Sequence, residues 1–415
     1  MEEKKVNRGL LFILANGVYF FSYFHRVAVP GTIFNEIQSE FLLSATAVAG
    51  LSALTFFMYG GIQIFGGIMS DRFGGFRTFF MGSILLSISS ILFSFSYSPA
   101  MLFITRAFIG LSAGIVFTSL IKILSIMYKP EDFPFYLSIM SVLGYTGGVF
   151  ATFPLERAVS FMGWRNSFLL AGLLCLIIAL SFRPFMKSAR RSFIQKTTFS
   201  LRALLAVLKN KNSLPVIVSG PINFSIYFLF QTTLGAKHLQ DSFNVTPARA
   251  AFFTFIMMII NTGSVFLSGY TSKLIGLRRP IIRIAAGVTL SASILLFFNI
   301  SFIYSTKLVL FSYVLLAVSA AAAPVFITTM KEMNTIEVAA TSVGFLNSIV
   351  YIVLSLLVYA AGRILDVFSH AAVEIAGIII YPGFAYRMVF LVCIMLAVCS
   401  FLVCFPIKET GSGKQ

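Results

Sequence analysis

The chain carries one short turn twice, as Gly67-Ile68-Met69-Ser70-Asp71-Arg72-Phe73-Gly74-Gly75-Phe76-Arg77 and as Gly269-Tyr270-Thr271-Ser272-Lys273-Leu274-Ile275-Gly276-Leu277-Arg278-Arg279. The two stretches align without a gap and share two glycines, a serine and the final arginine. Each follows a long apolar run, at an equivalent point of one half of the chain. An internal repeat of this kind indicates a fold built from two similar halves.

The composition of the 415 residues is that of an integral membrane protein. Hydrophobic residues make up 58% and charged residues only 11%, and the mean hydropathy is +0.93. Water-soluble domains of this size do not have such a composition. A helix needs about 20 apolar residues to cross a bilayer. Twelve runs of roughly this length predict twelve spanning helices: Gly9–Phe34, Ala45–Met69, Phe76–Tyr97, Ala100–Met127, Pro134–Leu155, Asn166–Lys187, Leu214–Ala236, Ala248–Tyr270, Ile281–Ile303, Lys307–Met330, Ala339–Leu365 and Ala385–Pro406.

The positive residues behind the net charge of +17 are concentrated in every other loop between the spans. Lys and Arg crowd the N-terminus, the turn after the second run and residues 183–211, whereas residues 30–44 and 97–100 contain neither. Because positive residues accumulate on the cytoplasmic side of membranes, both termini are predicted to be cytoplasmic. The basic loops would face anionic lipid headgroups, and their spread argues against nucleic-acid binding. We predict a multi-pass protein of the cytoplasmic (inner or plasma) membrane.

The first turn resembles the signature loop of the major facilitator superfamily, G-x-x-x-D-R-x-G-x-[RK]-[RK]. The residues that match it are Gly67, Asp71, Arg72, Gly74 and Arg77. The resemblance implies an all-α membrane fold in which twelve transmembrane helices form two pseudo-symmetric six-helix bundles. It also implies that the acid caps a neighbouring helix and that the basic residues clamp the cytoplasmic gate. The second copy departs from the pattern, because Lys273 stands where the acid would be.

Three segments follow from this resemblance. Residues 1–187 would form the N-terminal six-helix bundle, residues 188–213 a basic cytoplasmic linker and residues 214–415 the C-terminal six-helix bundle. Within the linker, Ser200–Lys209 has leucines along one side. This stretch is predicted to be either a helix on the membrane surface or a solvated loop.

The stretch Tyr23-Phe24-His25-Arg26 resembles the anion:cation symporter branch of the superfamily and, more loosely, the organophosphate exchangers. Both place an arginine in the first helix. A cation at the centre of a span costs about 3 kcal/mol on insertion scales. Every Asp and Glu is predicted to lie at a helix end, in a loop or at a terminus. We therefore expect a carboxylate or phosphate on a substrate to be the bidentate partner of Arg26.

Polar residues in the first span recur at spacings of three and four from Asn16 to Arg26, so they share one face of a helix. The second, seventh and eleventh spans have similar stripes. Lipid would penalise them, so they either line a water-filled cavity or pack between helices. We interpret them as lining a cavity. The candidate substrate-binding residues are Arg26, Tyr23, Tyr59, Gln63, Arg106, Gln231, Asn347 and Tyr351.

Four other basic side chains in or near the spans have separate predicted roles. Arg106 either contacts substrate or is structural, with hydrogen bonds to backbone carbonyls of the first or fifth span. Lys122 and Lys331 occupy matching places in the two halves and are assigned to the cytoplasmic gate. Histidine ordinarily titrates near neutrality, so His25 is the proton-coupling candidate. The alternative is a neutral His25 that is hydrogen-bonded to a nearby helix.

The sequence shows no nucleophile–base pair, metal-ligand cluster or phosphate-binding loop. We therefore predict a non-enzyme without cofactor or metal. The predicted function is that of a monomeric secondary active transporter, a symporter that moves a small organic anion by alternating access and is coupled to protons. Two alternatives remain: a transporter of zwitterionic or neutral solutes such as amino acids, and a solute sensor that does not transport.

Overall fold

The computed structural model is almost entirely α-helical and describes residues 8–129, 132–185, 201–335 and 338–411. Within these ranges eleven helices are long and apolar enough to cross a membrane, and one further apolar helix is shorter. Together they account for the twelve predicted spans. The protein is therefore a multi-pass integral membrane protein.

The described residues up to 185 form seven helices. They are α1 Arg8–Ala28, α2 Phe34–Phe41, α3 Ala45–Phe73, α4 Gly75–Ser94, α5 Pro99–Met127, α6 Phe133–Phe150 and α7 Phe153–Ser181. The first predicted span is divided, because α1 ends at Ala28 and α2 follows after a turn that contains Pro30. Proline lacks a backbone N–H and disfavours a helical residue before it, which explains this end. Arg26 consequently lies in the last turn of α1 and not in the middle of a span.

The described residues from 201 onward form nine helices and one short hairpin. The helices are α8 Leu201–Lys209, α9 Leu214–Leu229, α10 Gly235–Phe243, α11 Pro247–Ile275, α12 Arg279–Phe298, α13 Thr306–Ala320, α14 Ala323–Glu332, α15 Ala339–Val367 and α16 Gly383–Val403. Strands β1 Val373–Ile375 and β2 Ile378–Ile380 pair antiparallel after a 3₁₀ turn at Ser369–Ala371. A π-helical turn at Phe230–Leu234 joins α9 to α10, and another at Asn299–Ile303 extends α12.

Several helix starts have local causes in the sequence. The hydroxyls of Ser98, Thr246 and Ser305 accept hydrogen bonds from the backbone N–H three residues later, which satisfies donors that a helix leaves free at its start. Gly163 interrupts α7 with φ of 78°, a value that only glycine adopts readily. The segment Phe153–Ser181 is therefore two helical stretches that meet at a kink at Gly163.

The described residues form two compact units. One is drawn from Met1–Ala28 and Leu54–Phe199, the other from Val29–Ala53 and Ser200–Gln415. In the first unit α1 packs on α6, and α4 packs on both α5 and α7. In the second, α12 packs on α13 and α16, while α9 packs on α15. The division of the sequence at residues 187 and 214 stays a prediction, and the compact units assign residues 29–53 to the second unit.

The second unit holds the start of α3 through a carboxylate. Asp366 of α15 accepts hydrogen bonds from the backbone N–H groups of Ala45 and Thr46, at 2.8 and 2.9 Å. A carboxylate at a helix start both satisfies free donors and matches the positive end of the helix dipole. This carboxylate therefore holds residues 29–53 to the second unit at the start of α3.

The amphipathic stretch of the predicted linker is the helix α8. Its Val207 is buried in the core of the second unit beside Val216 and Ile282, whereas Leu205 and Leu208 are exposed. A solvated loop is thereby excluded for this stretch, and its place on the membrane surface stays a prediction. Residues 188–200 of the predicted linker lie outside the described residues.

Candidate functional site

Arg26 lies among tyrosines in the first unit. Its guanidinium carbon is 4.1 Å from the ring centroid of Tyr23 and 4.5 Å from that of Tyr59, and Tyr19 is the next ring at 5.9 Å. Arg26 is only 1% exposed. Aromatic faces stabilise a guanidinium without neutralising it. The Arg26 Nε also donates to the Ser22 carbonyl at 3.4 Å. A planar guanidinium is suited to a carboxylate, sulfonate or phosphate.

The structure brings together part of the predicted substrate site. Tyr23 and Arg26 share a face of α1, and Tyr59 approaches them from α3. Gln63 follows Tyr59 by one helical turn and is nearly buried, with 9% exposure. These four candidates thus form one polar and aromatic surface in the first unit.

Arg106 lies on α5 and contacts the end of α1. Its Nη1 donates a hydrogen bond of 2.9 Å to the backbone carbonyl of His25, and its own carbonyl accepts one from the Thr55 hydroxyl at 3.2 Å. The His25 carbonyl lies in the last turn of α1. A hydrogen bond to a backbone carbonyl of the first span is the contact expected if Arg106 has a structural role. Contact of Arg106 with a substrate stays a prediction.

His25 packs against aromatic rings and not against the Arg26 cluster. Its ring centroid is 5.5 Å from that of Phe24 and 5.8 Å from that of Phe168 on α7. Neither ring nitrogen has a hydrogen-bond partner among the described residues. His25 and Arg26 therefore make their contacts on different sides of α1. A proton-coupling role for His25 stays a prediction.

The signature loop forms an ion pair in the first unit. Asp71 Oδ1 lies 2.8 Å from Lys122 Nζ on α5, which joins two residues predicted for the cytoplasmic gate. Arg72 and Arg77 are exposed. Gly74 precedes α4 with φ of 87° and ψ of 138°, a conformation that is essentially reserved for glycine.

The second copy of the loop has an ion pair of opposite polarity. Here the loop supplies the base: Arg278 Nη2 lies 3.2 Å from Glu332 Oε1 at the end of α14. Arg278 also donates to the Ser272 carbonyl at 2.9 Å. Lys331, the predicted gate residue beside Glu332, is exposed. The acid that the second copy lacks at Lys273 is thus replaced by one from a neighbouring helix.

Another acidic residue, Glu409, caps the start of α12. Glu409 accepts hydrogen bonds from the backbone N–H groups of Arg278 and Arg279, at 2.7 and 3.0 Å, and from those of Thr410 and Gly411. Burial disfavours the charged carboxylate, but these four donors outweigh it and lower the pKa of Glu409 below its ordinary value. The spacing in sequence, more than 100 residues, carries no signal for such a cap.

The candidates in the second unit make mainly packing contacts. Gln231 Nε2 donates to the Thr254 carbonyl at 3.1 Å, and Tyr351 meets Phe224 edge-on with ring centroids 5.9 Å apart. Asn347 is half-buried on α15. On α9, Asn223 donates to the Ser400 hydroxyl of α16 at 2.7 Å. The polar stripe of α9 therefore serves partly in packing between these two helices.

The seventh span continues past its predicted end. The seventh span was predicted to end at Ala236, but the apolar helical segment continues to Phe243. It therefore includes Lys237 and Asp241, which form an ion pair of 2.8 Å with side chains 0% and 1% exposed. The π-helical turn at Phe230–Leu234 carries the helix past the predicted end, and periodicity alone does not reveal it.

Comparison with known proteins gives the family. The model of the Major Facilitator Superfamily matches residues 15–358. The chain is 24% identical over 178 residues to the uncharacterized transporter YybO of Bacillus subtilis, over 43% of this chain and 41% of that protein. It is also 24% identical over 173 residues to the probable sulfoacetate transporter SauU of Cupriavidus necator, and over 178 residues to the quinolone resistance protein NorB of Staphylococcus aureus. These matches cover 41% and 43% of this chain, and 40% and 38% of those proteins. The chain thus matches about two fifths of the length of these relatives.

Solved structures share the fold over nearly the whole chain. A bacterial homologue of the human lysosomal transporter Spinster superposes with a TM-score of 0.79 at 16% identity and covers 98% of both chains. The nucleoside transporter NupG gives 0.75 at 12% identity, over 96% of this chain and 100% of that one. The predicted twelve-helix fold is confirmed, and the relatives are transport proteins and not enzymes. The chain belongs to the major facilitator superfamily.

Proposed function

We propose that the protein is a secondary active transporter of a small organic anion, which Arg26 binds. The observation that carries the proposal is the buried guanidinium of Arg26 between Tyr23 and Tyr59. A bidentate carboxylate, sulfonate or phosphate ester matches this geometry. The likeness to SauU, named a probable sulfoacetate transporter, supports the same class of substrate.

The chain would work by alternating access, in which two helix bundles expose one binding site to each side of the membrane in turn. Arg26 binds the anionic group, while Tyr23, Tyr59 and Gln63 surround the rest of the solute. On the predicted cytoplasmic side, the Asp71–Lys122 and Arg278–Glu332 pairs hold their loops during the cycle. A monomer is sufficient for this architecture.

Transport would be coupled to protons. A proton that accompanies the anion reduces the net charge that crosses the membrane, and an inward proton gradient then drives uptake. His25, next to Arg26 in the chain, is the candidate for this proton. Uptake by His25→Gln across pH tests the assignment, because an unchanged dependence on the proton gradient would remove His25 from the coupling.

The comparison with NorB, named a quinolone resistance protein, favours a second candidate function. The three tyrosines around Arg26 would also fit an aromatic compound that carries one carboxylate, including a zwitterion. Amino acids belong to the same wider class. The two functions differ in the net charge of the accepted solutes, so a substrate screen separates them.

The experiment is a ligand screen by thermal stability of the purified protein. Carboxylates, sulfonates, phosphate esters, amino acids and aromatic zwitterions are each added to the wild type and to Arg26→Gln. A ligand at 100 times its dissociation constant stabilises the folded state by about 2.7 kcal/mol, which a melting experiment detects. We expect organic anions to stabilise the wild type and not the variant.

The control is Arg165→Gln, which removes a cation elsewhere in the same unit. Arg165 packs on Trp164 and donates to the Ser96 carbonyl, so its loss leaves the Arg26 cluster intact. Stabilisation by the same anions is expected to persist in this control. Ligands that are cationic or apolar, or that still stabilise Arg26→Gln, would overturn the assignment of Arg26 to an anion.

A further inference from the structure

Lys237 and Asp241 form a buried ion pair on α10, with Nζ and Oδ1 at 2.8 Å. Asp241 Oδ2 accepts a hydrogen bond from the Tyr381 backbone N–H at 3.1 Å and another from the Tyr386 hydroxyl at 2.7 Å. Apolar residues of similar volume often stabilise a protein as well as a buried pair does. The pair therefore indicates a role other than stability alone.

Residues 29–53 cover this ion pair within the second unit. The ring centroid of Phe34, the first residue of α2, lies 5.8 Å from Lys237 Nζ, and that of Tyr381 lies 5.6 Å from it. Lys237 also donates a hydrogen bond to the Ile379 carbonyl of β2. The ammonium is thus enclosed by one carboxylate, one carbonyl and two aromatic rings, one of which comes from α2.

Two further contacts hold α2 to the same place. Gln38 Nε2 donates to the Tyr381 hydroxyl at 2.9 Å, and Asn35 Nδ2 donates to Gln240 Oε1 at 2.8 Å. Tyr381 is in turn held by Asp241 through its backbone N–H. The carboxylate of Asp241 is therefore linked both to Lys237 and, through Tyr381, to α2.

Asp241 also borders a cavity of about 680 Å³ at the same end of the bundle. Other residues that line it are Ser242, Asn244, Tyr304 and Lys307. The loops at this end are the ones that the charge distribution predicts to be outside the cell. The cavity brings the outer solution to the edge of Asp241, whose side chain is 1% exposed while α2 is in place.

The groups that face the pair come from four other elements and from α10 itself. Glu36 of α2 adds a negative charge near Lys237. His238 on α10 is hydrogen-bonded to the Tyr313 hydroxyl at 3.1 Å. The remaining titratable groups around the pair are Tyr381 before α16, Tyr386 of α16 and Asp366 of α15. Asp241 is the acid that directly contacts the buried ammonium.

We propose that Asp241 is a proton-binding site that locks and releases the outer gate, which consists of residues 29–53. A proton from the outer solution adds to the carboxylate oxygen that faces Lys237 and turns it into a neutral carboxylic acid. Lys237 keeps its positive charge and its hydrogen bond to the Ile379 carbonyl but loses the carboxylate that it contacts, and a buried cation without a contacting anion is unfavourable. Departure of Phe34 and the rest of α2 relieves this state, because water then reaches the ammonium. The inference rests on the proposed function in one respect, that the protein alternates access.

The test follows the exposure of α2 by cysteine labelling. Ile37→Cys, at a fully buried position of α2, is placed in a background whose four native cysteines are replaced. The purified protein, without any substrate, reacts with a hydrophilic maleimide at several pH values. Since maleimides react with the thiolate, each rate is divided by that of an exposed reference, Lys307→Cys, in the same background.

We expect the normalised rate to rise severalfold as the pH is lowered from about 8 to about 5. Asp241→Asn should be labelled rapidly at every pH, because it imitates the protonated acid. The double variant Lys237→Met with Asp241→Leu should stay protected at every pH, since it has no charge to release. This variant also shows that the fold survives without the pair.

A normalised rate that does not depend on pH, or an Asp241→Asn protein that is as protected as the wild type, would overturn the proposal. So would a double variant that retains the pH response. His25→Gln in the same assay is expected to keep the response, and its loss there would assign the proton to His25 instead. Because no substrate is present, failure of Arg26 to bind an anion leaves these outcomes unchanged and is recognised separately.

Discussion

Arg26 and Arg106 are both buried arginines of the first unit, and each donates to a backbone carbonyl of α1, that of Ser22 for Arg26 and that of His25 for Arg106. Arg26 also lies beside the rings of Tyr23 and Tyr59, whereas the Arg106 contact is at the end of α1. The first arrangement suits recognition of a planar anion, and the second suits completion of a helix end. The same residue type thus has two roles that the sequence alone left open for Arg106.

Replacement of Arg106 should therefore lower stability and not affinity. We expect Arg106→Met to lose roughly 2 kcal/mol of unfolding free energy, the range of hydrogen bonds to charged groups. The dissociation constant of an anion that depends on Arg26 should stay unchanged. Melting curves and ligand titrations of the same preparation measure both quantities. A large loss of affinity at full stability would instead place Arg106 in the substrate site.

At the scale of elements, the two signature glycines have different reasons to be glycine. Gly74 has φ of 87°, whereas Gly67 lies inside α3, where a Cβ would meet nothing within 4 Å. Gly74→Ala should lower the unfolding free energy by about 1–3 kcal/mol because of backbone strain. Gly67→Ala, the matched control, should be neutral or stabilise by up to about 1 kcal/mol. Equal melting temperatures for the two variants would contradict this difference.

The cap of α12 by Glu409 predicts a pH dependence. The pKa of Glu409 is lowered in the folded state, so its contribution is complete above the ordinary value of 4.5 and is lost as the pH falls through the folded value. At neutral pH, Glu409→Ala should lose about 1 kcal/mol, as is typical for a helix cap. The difference from the wild type should shrink below about pH 4. Lys408→Ala, the neighbouring exposed position, should show neither effect.

How far the sequence could predict each element depended on the range of the interactions. Lengths of apolar runs predicted twelve spans, because each span depends on its own residues. The end of α1 before Pro30 and the continuation of the seventh span to Phe243 were missed. The caps from Asp366 and Glu409 join residues far apart in the chain, so no local pattern announces them. For the site, spacing placed Arg26 and Tyr23 on one face, but the contact with Tyr59 needed the packing of two helices.

At the scale of the whole molecule, the charge of the loops predicts the orientation in the membrane. Single cysteines at Lys307, between α12 and α13, and at Asn212, between α8 and α9, test it in a cysteine-free background. Both positions are exposed. In intact cells a membrane-impermeant maleimide should label Lys307→Cys and not Asn212→Cys. Labelling of Asn212→Cys alone would reverse the predicted orientation.

The most direct measurement of the central claim is transport of an anion by purified protein in liposomes. The anion is the one that stabilises the wild type best, and uptake is compared for the wild type, Arg26→Gln and Arg165→Gln. We predict saturable uptake by the wild type and by Arg165→Gln, with a loss of at least about tenfold in Arg26→Gln, the cost of one bidentate charged contact. Uptake by Arg26→Gln that equals the wild type would contradict the claim that Arg26 binds the transported anion.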